Sequence, residues 1–402
     1  MKIIIVGAGV GGVAAAVALS QRHEVEVYEA ADQLRTDGNG VLLYPNATGI
    51  LDELGVPAES VDGARMEALD LVADGDTRLM RLDLSRLARH FGAEILVTKR
   101  GHVLAKLAGR LPDGVVRFGK RAVAVEEAGG KATVAFEDGT RAVGDVVLGA
   151  DGHRSQVRRL LVDEQPAVYL GDATWHGITK LPHEFAHGSR IHSLYGKEGI
   201  CVVHPVGGGE VYWAFELPFR DGDTAPPGVD GRPAAPGASA VRNLRERFGH
   251  WTSTPMPTLL ETITDADVGV FPHILHSVRE NWSAGPVTLL GDAAHAVPPR
   301  LGMGLCQALE DAWVLNRVLS QPGATPREAL RRYEALRWPR MRKMHSIATM
   351  MGRRNLPLPP GLLRVVGGLL PMTSYQRSQL RSLSNYLNDD APPLPARSLR
   401  VA

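Results

Sequence analysis

A glycine-rich turn near the start of the chain combines the residue types that bind a phosphate group. The pattern G-x-G-x-x-G is matched by Gly7-Ala8-Gly9-Val10-Gly11-Gly12. A short β-branched run, Lys2 to Val6, precedes the turn, and an alanine-rich stretch follows it. Glycines at these positions permit a tight turn, a close approach of the backbone to a pyrophosphate, and close packing of a helix on a strand. The turn is therefore predicted to join a strand to a helix whose N-terminus attracts phosphate charge.

An acidic residue stands where such a site would bind a ribose. The alternating stretch Glu24 to Tyr28 is predicted to form the second strand, and Glu29 follows it directly. A carboxylate there accepts hydrogen bonds from the ribose hydroxyls and disfavours a 2′-phosphate. The pattern thus indicates that the bound dinucleotide is FAD or NAD rather than NADP.

Two further stretches combine a buried strand with a turn that contains aspartate. Asp145 to Gly152 reads DVVLGADG and includes Asp151, and Arg158 follows at an expected helix start. A later strand, turn and helix are predicted at Val287–Leu290, Gly291-Asp292 and Ala308–Leu319. Three such units in one chain suggest a single extended cofactor held at three places.

These three motifs, in this order, resemble the FAD-dependent single-component monooxygenases of the para-hydroxybenzoate hydroxylase type. The resemblance covers roughly residues 1–345. It implies an α/β fold: a Rossmann-like FAD-binding domain with an inserted β-rich substrate domain and a C-terminal helical segment. The implied domains are a discontinuous FAD-binding domain (1–70, 91–165 and 270–345), a substrate-binding sheet (71–90 and 166–269) and a C-terminal extension (346–402).

The resemblance also implies roles for individual polar residues. Asp292 is expected to bind the ribityl or pyrophosphate part of FAD, and Asp151 to serve the nucleotide cleft from the other side. Arg100, four residues before Leu104, resembles the arginine that reaches the phosphate–ribityl region.

The turn after Asp292 is expected to contact the flavin ring. By resemblance, Gly302 and Gly304 bring backbone N–H groups to the pyrimidine edge, and Pro299, with the proline before it, fixes the approach. Met303 stands where the family commonly has glutamine, so its side chain supplies no polar contact. Ala30, next to the ribose acid, replaces the usual basic residue.

The reaction follows from the same resemblance. NADH or NADPH reduces FAD, O2 adds at the flavin C4a, and the resulting hydroperoxide transfers one oxygen atom to a small aromatic or polyketide-like substrate. The chain has no second Rossmann motif, since Val206 to Val211 (VGGGEV) reads as a hairpin turn, so the reductant is expected to bind transiently. The open alternatives are Baeyer–Villiger oxidation or epoxidation on the same scaffold, a flavoprotein that transfers no oxygen, and a binding protein with a structural flavin.

The middle of the chain is predicted to bind the substrate. Val168 to Leu217 alternates between polar and apolar residues, which is typical of an antiparallel sheet, and one of its faces is expected to cover the flavin. A loop over Asp221–Ser239 and a helix over Ala240–Phe248 follow. The candidate substrate contacts are Trp175, His204, Tyr212 and Trp213. Tyr212 is the best of them because it points away from Trp213, whereas His295 is expected to order its turn rather than act as a base.

Composition limits the remaining possibilities. The 45 basic and 44 acidic residues nearly cancel, so no nucleic-acid partner is indicated. Cys201 and Cys306 fit neither a disulfide framework nor a metal site, and a cytoplasmic location is the default. The N-terminal run resembles a secretory signal but is patterned like a nucleotide-binding turn, and no stretch resembles a membrane span. The apolar, proline-rich stretch Met350–Ala402 is expected to pack on the protein's own body; covering the substrate entrance, a dimer face or a membrane surface are the open alternatives. The protein is expected to be a monomer or a homodimer.

Overall fold

The computed structural model describes residues 1–73, 77–161, 167–196, 198–218, 239–352 and 372–395. The loop predicted over Asp221–Ser239 lies outside these residues except for Ser239, and so does much of the C-terminal segment. The strands are β1 Lys2–Val6, β2 Glu24–Tyr28, β3 Gly40–Leu43, β4 Gly63–Arg65, β5 Ala68–Ala73, β6 Thr77–Asp83, β7 Leu96–Lys99, β8 Val116–Arg117, β9 Ala122–Ala128, β10 Lys131–Phe136, β11 Arg141–Gly144, β12 Val146–Gly149, β13 Val168–Lys180, β14 Arg190–Gly196, β15 Gly199–Gly207, β16 Glu210–Pro218, β17 Gly269–Leu275 and β18 Val287–Leu289.

Helices alternate with the first strands and dominate the last part of the chain. They are α1 Val10–Leu19, α2 Pro45–Glu53, α3 Leu84–Phe91, α4 Arg100–Ala108, α5 Gln156–Leu161, α6 His183–Ala186, α7 Ala240–Phe248, α8 Met256–Thr262, α9 Asp292–His295, α10 Gly304–Leu319, α11 Pro326–Gly352 and α12 Met372–Leu383. The predicted α/β class is confirmed. No helix in the described part of the chain is long and apolar enough to cross a bilayer.

The first layer is a parallel sheet of five strands in the order β18-β12-β1-β2-β8. Its central strand carries Ile3, Ile4 and Ile5, and all three side chains are fully buried. Such a continuous apolar strand requires cover on both faces, as parallel sheets generally do. Helix α1 supplies part of that cover. It packs so closely against α10 that a Cβ on Gly11 would lie only 3.2 Å from the Cβ of Ala308.

The second layer is a sheet of seven strands in the order β17-β13-β16-β15-β14-β5-β6. Its pairs are antiparallel except for β14 with β5. On β16, Trp213 and Phe215 point into an apolar cluster that α7 and α8 cover, so the alternate residues Tyr212, Ala214 and Glu216 face the opposite way. That opposite face looks toward the parallel sheet.

The structure differs from the sequence prediction at several boundaries. Strand β17 belongs by hydrogen bonding to the seven-stranded sheet, although residues 270–275 were predicted to lie in the FAD-binding domain. Helix α10 contains the predicted stretch Ala308–Leu319 and begins earlier, at Gly304, in agreement with the helix start expected within residues 302–305. Helix α11 runs across the predicted boundary at residue 346. The VGGGEV turn, by contrast, joins β15 to β16 as predicted.

Candidate active site

The glycine turn between β1 and α1 is shaped by close packing on one side and left open on the other. Gly7 has a φ of 108°, and a Cβ there would lie 2.4 Å from the carbonyl oxygen of Ala150. A Cβ on Gly12 would lie 2.1 Å from the oxygen of Gly7. A Cβ on Gly9, by contrast, would meet no atom within 4 Å, because this residue faces a cavity. The turn therefore exposes its backbone where a ligand can approach it.

The carboxylate of Glu29 holds this turn against the following loop. One oxygen accepts the N–H of Ala8, and the other accepts the N–H of Ala31, both at 2.8 Å. Each carboxylate oxygen keeps a second lone pair for a ligand hydroxyl. Ala30 lies between these contacts and contributes no polar side chain.

Asp151 is occupied by its own loop. Its carboxylate accepts the backbone N–H groups of Gln156 at 2.7 Å and Val157 at 3.1 Å, together with the hydroxyl of Ser155. These bonds satisfy free N–H groups at the start of α5. Burial raises the pKa of this carboxyl, and the hydrogen bonds oppose that rise. The side chain therefore acts mainly as a helix cap.

A buried network fixes the turn that carries Asp292. Asp311 accepts the backbone N–H of Gly291 at 2.8 Å and lies 2.7 Å from Nε2 of His295. Its other oxygen accepts Nε of Arg337 at 2.6 Å. Burial alone would raise the pKa of Asp311, but His295 and Arg337 hold it down to about 2. Through its contact with Asp311, His295 thus helps to fix the conformation of this turn.

Asp292 itself points into the cavity. Its carboxylate accepts no hydrogen bond from any described residue, and it is accessible from the cavity. The surrounding protein limits its hydration and raises its pKa, and the nearby charges of His295, His153 and Arg100 oppose that rise. Arg100 lines the same cavity and donates to the backbone oxygens of Asp37 at 2.6 Å and Arg35 at 3.2 Å. A carboxylate without a partner beside a fixed guanidinium indicates a polar ligand.

One cavity of about 530 Å³ connects these groups to the seven-stranded sheet. Its lining includes seven of the residues predicted to bind FAD: Gly9, Gly11, Arg100, Asp292, Pro299, Gly302 and Gly304. Gly302 has a φ of 61°, which favours glycine, and a Cβ on Gly304 would meet no atom within 4 Å. Met303 is buried in the core instead of lining the cavity.

The sheet face of the cavity carries two of the four predicted substrate contacts. Tyr212 and His204 line it, and their rings stack with centroids 5.1 Å apart. Burial lowers the pKa of His204 to about 4 and raises the pKa of the Tyr212 phenol, so both are neutral near pH 7. Trp175 and Trp213 lie in the apolar cluster on the opposite face of the sheet and do not line the cavity. The register explains this, since Trp175 pairs with Phe215 and therefore shares the face of Trp213.

Three charged residues of the site were not predicted from the sequence. Arg300, in the short 3₁₀ turn Pro299–Leu301, forms an ion pair with Asp172 and lies 3.5 Å from an oxygen of Glu216. Arg300 and Glu216 line the cavity. These residues lie on three separate segments, so no local spacing connects them. The only sequence signal was the arginine directly after the two prolines.

The fold and the site define a nucleotide-dependent oxidoreductase. A parallel sheet with an open glycine turn at the carboxyl end of its first strand is the dinucleotide-binding arrangement. The cavity continues from that turn to a second sheet lined with aromatic rings, which provides space for a substrate beside a cofactor.

Comparisons with known proteins identify the family. Residues 1–348 match the FAD binding domain family. The chain is 32% identical to a 3-amino-4-hydroxybenzoate 2-monooxygenase of Streptomyces platensis, over 90% of this chain and 89% of the relative. It is 30% identical to the FAD-dependent urate hydroxylase of Klebsiella pneumoniae, over 86% of this chain and 88% of the relative. The chain therefore belongs to the FAD binding domain family and is an FAD-dependent monooxygenase.

A solved structure agrees with this assignment. HpxO of Klebsiella pneumoniae, complexed with FAD and uric acid, superposes with a TM-score of 0.78 at 26% identity. The superposition covers 97% of this chain and 95% of HpxO. The predicted fold, cofactor and enzyme class are thereby confirmed.

Proposed function

We propose that the protein inserts one oxygen atom from O2 into a small aromatic or polyketide-like substrate, with NADH or NADPH as the electron donor. The observation that carries this proposal is the continuity of one cavity, from the open backbone at Gly9 to the ring of Tyr212. The activities of the relatives support an aromatic substrate, since 3-amino-4-hydroxybenzoate and urate are both planar ring compounds.

The residues that line the cavity fit FAD. Gly9 and Gly11 present backbone N–H groups at the N-terminus of α1, which favours a pyrophosphate. Arg100 and Asp292 would hold the phosphate–ribityl region. Gly302 and Gly304 leave the start of α10 open for the flavin ring, and the N-terminus of this helix stabilises negative charge there.

Other predicted cofactor residues shape the backbone around the site. Gly7 and Gly12 let the turn pack on its neighbours, and Asp151 caps α5. Glu29 positions the turn and can still accept a ribose hydroxyl. Pro299 lies at the beginning of the turn that holds Arg300 in the cavity.

The protein's own residues bind, orient and shield the reactants. When bound, FAD supplies the redox chemistry that takes two electrons from the nicotinamide and activates O2. Tyr212 and His204, both neutral and largely buried, would orient an electron-rich ring against the sheet. The sheet also excludes water, which limits loss of the activated oxygen as peroxide.

Substrate binding is expected to control reduction of the flavin. The sequence contains no second Rossmann motif, so the reductant is expected to meet the flavin transiently, and NAD(P)H oxidation should be slow alone and rise severalfold with a substrate. Stopped-flow absorbance at the flavin band, with a panel of phenols, aminophenols, hydroxybenzoates and N-heterocycles, measures this. Reduction that is equally fast with and without every compound on the panel would defeat the proposal.

Tyr212→Phe tests, in the same stopped-flow assay, the end of the cavity that the seven-stranded sheet lines. Loss of a hydrogen bond between the Tyr212 hydroxyl and the substrate costs about 0.5–1.5 kcal/mol. The rise in NAD(P)H oxidation that the substrate causes should therefore be about two- to tenfold smaller in the variant, or the variant should release more peroxide. Its FAD content should stay at the wild-type level. Tyr375→Phe is the control, because Tyr375 is 62% exposed and does not line the cavity. Unchanged coupling in Tyr212→Phe would remove that residue from the site.

A further inference from the structure

The sheet end of the cavity contains a charge cluster formed by Arg300, Asp172 and Glu216, here called the Arg300 cluster. Strand β13 carries Asp172 and strand β16 carries Glu216, and Glu216 pairs with Thr174. Asp172 and Glu216 are therefore diagonal neighbours on one face of the sheet. Arg300 approaches both from the opposite wall, and its side chain is only 7% exposed.

The cluster leaves hydrogen-bonding capacity free. Glu216 lies 3.5 Å from Arg300, which is longer than a charge-assisted hydrogen bond of about 2.7–2.9 Å. Among the described residues, no other group donates to the Glu216 carboxylate. Nε of Arg300 also lacks a hydrogen-bond partner in the described part of the chain, although this side chain is more than nine-tenths buried. Such groups are usually satisfied in a folded protein, so a ligand is expected to complete them.

The charge of the cluster is unbalanced. Two carboxylates face one guanidinium, and His204 is neutral near pH 7 because burial lowers its pKa to about 4. Burial raises the pKa of Glu216; the charge of Arg300 opposes the rise and that of Asp172 adds to it. Among the described lining residues, Arg100 is the other cation, and it is held by the backbone of Asp37 near Asp292.

A substrate carboxylate would therefore meet unfavourable conditions at this end. It would be the third carboxylate around one guanidinium, whose charge Asp172 and Glu216 already offset. A buried carboxylate without a partner is strongly disfavoured. A ring nitrogen or amino group that carries hydrogen would instead find the open acceptor of Glu216.

We propose that the Arg300 cluster selects aromatic substrates that carry an N–H donor, such as arylamines or N-heterocycles, and disfavours those that carry a carboxylate. This inference rests on the proposed function, because it concerns the substrate of the same site. In it, Glu216 accepts the substrate N–H, and Arg300 keeps the Glu216 carboxylate in place.

Two matched pairs of compounds test the inference on the FAD-loaded protein. 2-Aminophenol is 3-amino-4-hydroxybenzoate without its carboxylate, and phenol is 4-hydroxybenzoate without its carboxylate. Calorimetric titration should give a Kd for each uncharged compound about tenfold or more below that of its acid, and 2-aminophenol should bind more tightly than phenol. Tighter binding of the two acids would overturn the inference and leave the monooxygenase function intact.

Glu216→Gln removes the negative charge of this side chain and keeps its size. The ratio of the Kd for 3-amino-4-hydroxybenzoate to the Kd for 2-aminophenol should fall about tenfold in the variant, with its FAD content unchanged. Glu137→Gln is the matched control, because Glu137 is 71% exposed and pairs with Arg121 on the surface. An unchanged preference in Glu216→Gln contradicts the inference. If none of the four compounds binds, the inference fails, whereas the proposed function is decided by the oxidation assay with the full panel of compounds.

Discussion

Replacement of Gly9 by valine is expected to remove FAD from the protein and leave the fold intact. A Cβ at this position meets no protein atom within 4 Å, so the larger side chain fits the free protein but enters the cavity. It would block the approach of the backbone to the pyrophosphate and cost its hydrogen bonds, each worth about 1.5–3 kcal/mol when charge-assisted. The Kd for FAD should rise about ten- to a hundredfold or more. The amount of flavin that each purified protein releases on denaturation measures this; the wild type should be yellow and the variant colourless.

Two further substitutions distinguish a lost contact from a lost fold. Gly12→Val should fail to fold, because a Cβ there lies 2.1 Å from the oxygen of Gly7. Asp292→Ala should fold and also weaken FAD binding, since its carboxylate faces the cavity without a hydrogen-bond partner among the described residues. Wild-type affinity for FAD in both Gly9→Val and Asp292→Ala would contradict the assignment of the nucleotide end.

Replacement of Arg337 by methionine is expected to cause a large loss of stability. Its guanidinium is fully buried and donates to Asp311, to the side chain of Asn385 and to Gln307. Its removal would leave the buried carboxylate of Glu310 without an ion-pair partner among the described residues, and that of Asp311 with His295 alone. Breaking one partner of a buried pair costs about 3–5 kcal/mol. Urea unfolding followed by circular dichroism measures the change.

The same helix supplies the control for this substitution. Arg327 pairs with Glu127 at 3.2 Å, but its side chain is 57% exposed, and such pairs contribute about 0–1 kcal/mol. Arg327→Met should therefore unfold close to the wild-type urea concentration. Arg337→Met should also bind FAD less tightly, because Asp311 holds the turn of Asp292. Equal stabilities of the two variants would show that the buried network contributes little.

The parts of the site that lie within one continuous stretch could be predicted from the sequence. The glycine turn combines its strand, helix start and acid within residues 2–29, so local spacing defines it. The alternation along β16 likewise predicts that Tyr212 and Trp213 point to opposite faces. Alternation does not tell which face meets the cofactor, and it says nothing about neighbouring strands. Trp175 was therefore placed in the site, whereas its register with Phe215 directs it into the apolar cluster.

The Arg300 cluster could not be predicted because three distant segments form it. Asp172 and Glu216 meet only through the register of two strands, and Arg300 reaches them from the turn before α10. Asp151 shows the opposite limit of sequence analysis. Its position in the motif was identified, but its hydrogen bonds to the start of α5 became visible only with the chain folded.

Labelled oxygen gives the most direct test of the central claim that this cavity supports oxygen transfer to an aromatic substrate. The FAD-loaded protein would be supplied with NADH or NADPH, ¹⁸O2 and each compound that stimulates reductant oxidation, and the products would be analysed by mass spectrometry. The account predicts a product that carries one ¹⁸O atom for each NAD(P)H consumed, with the second oxygen atom released as water. Stoichiometric hydrogen peroxide and an unlabelled substrate, for every stimulating compound, would contradict it.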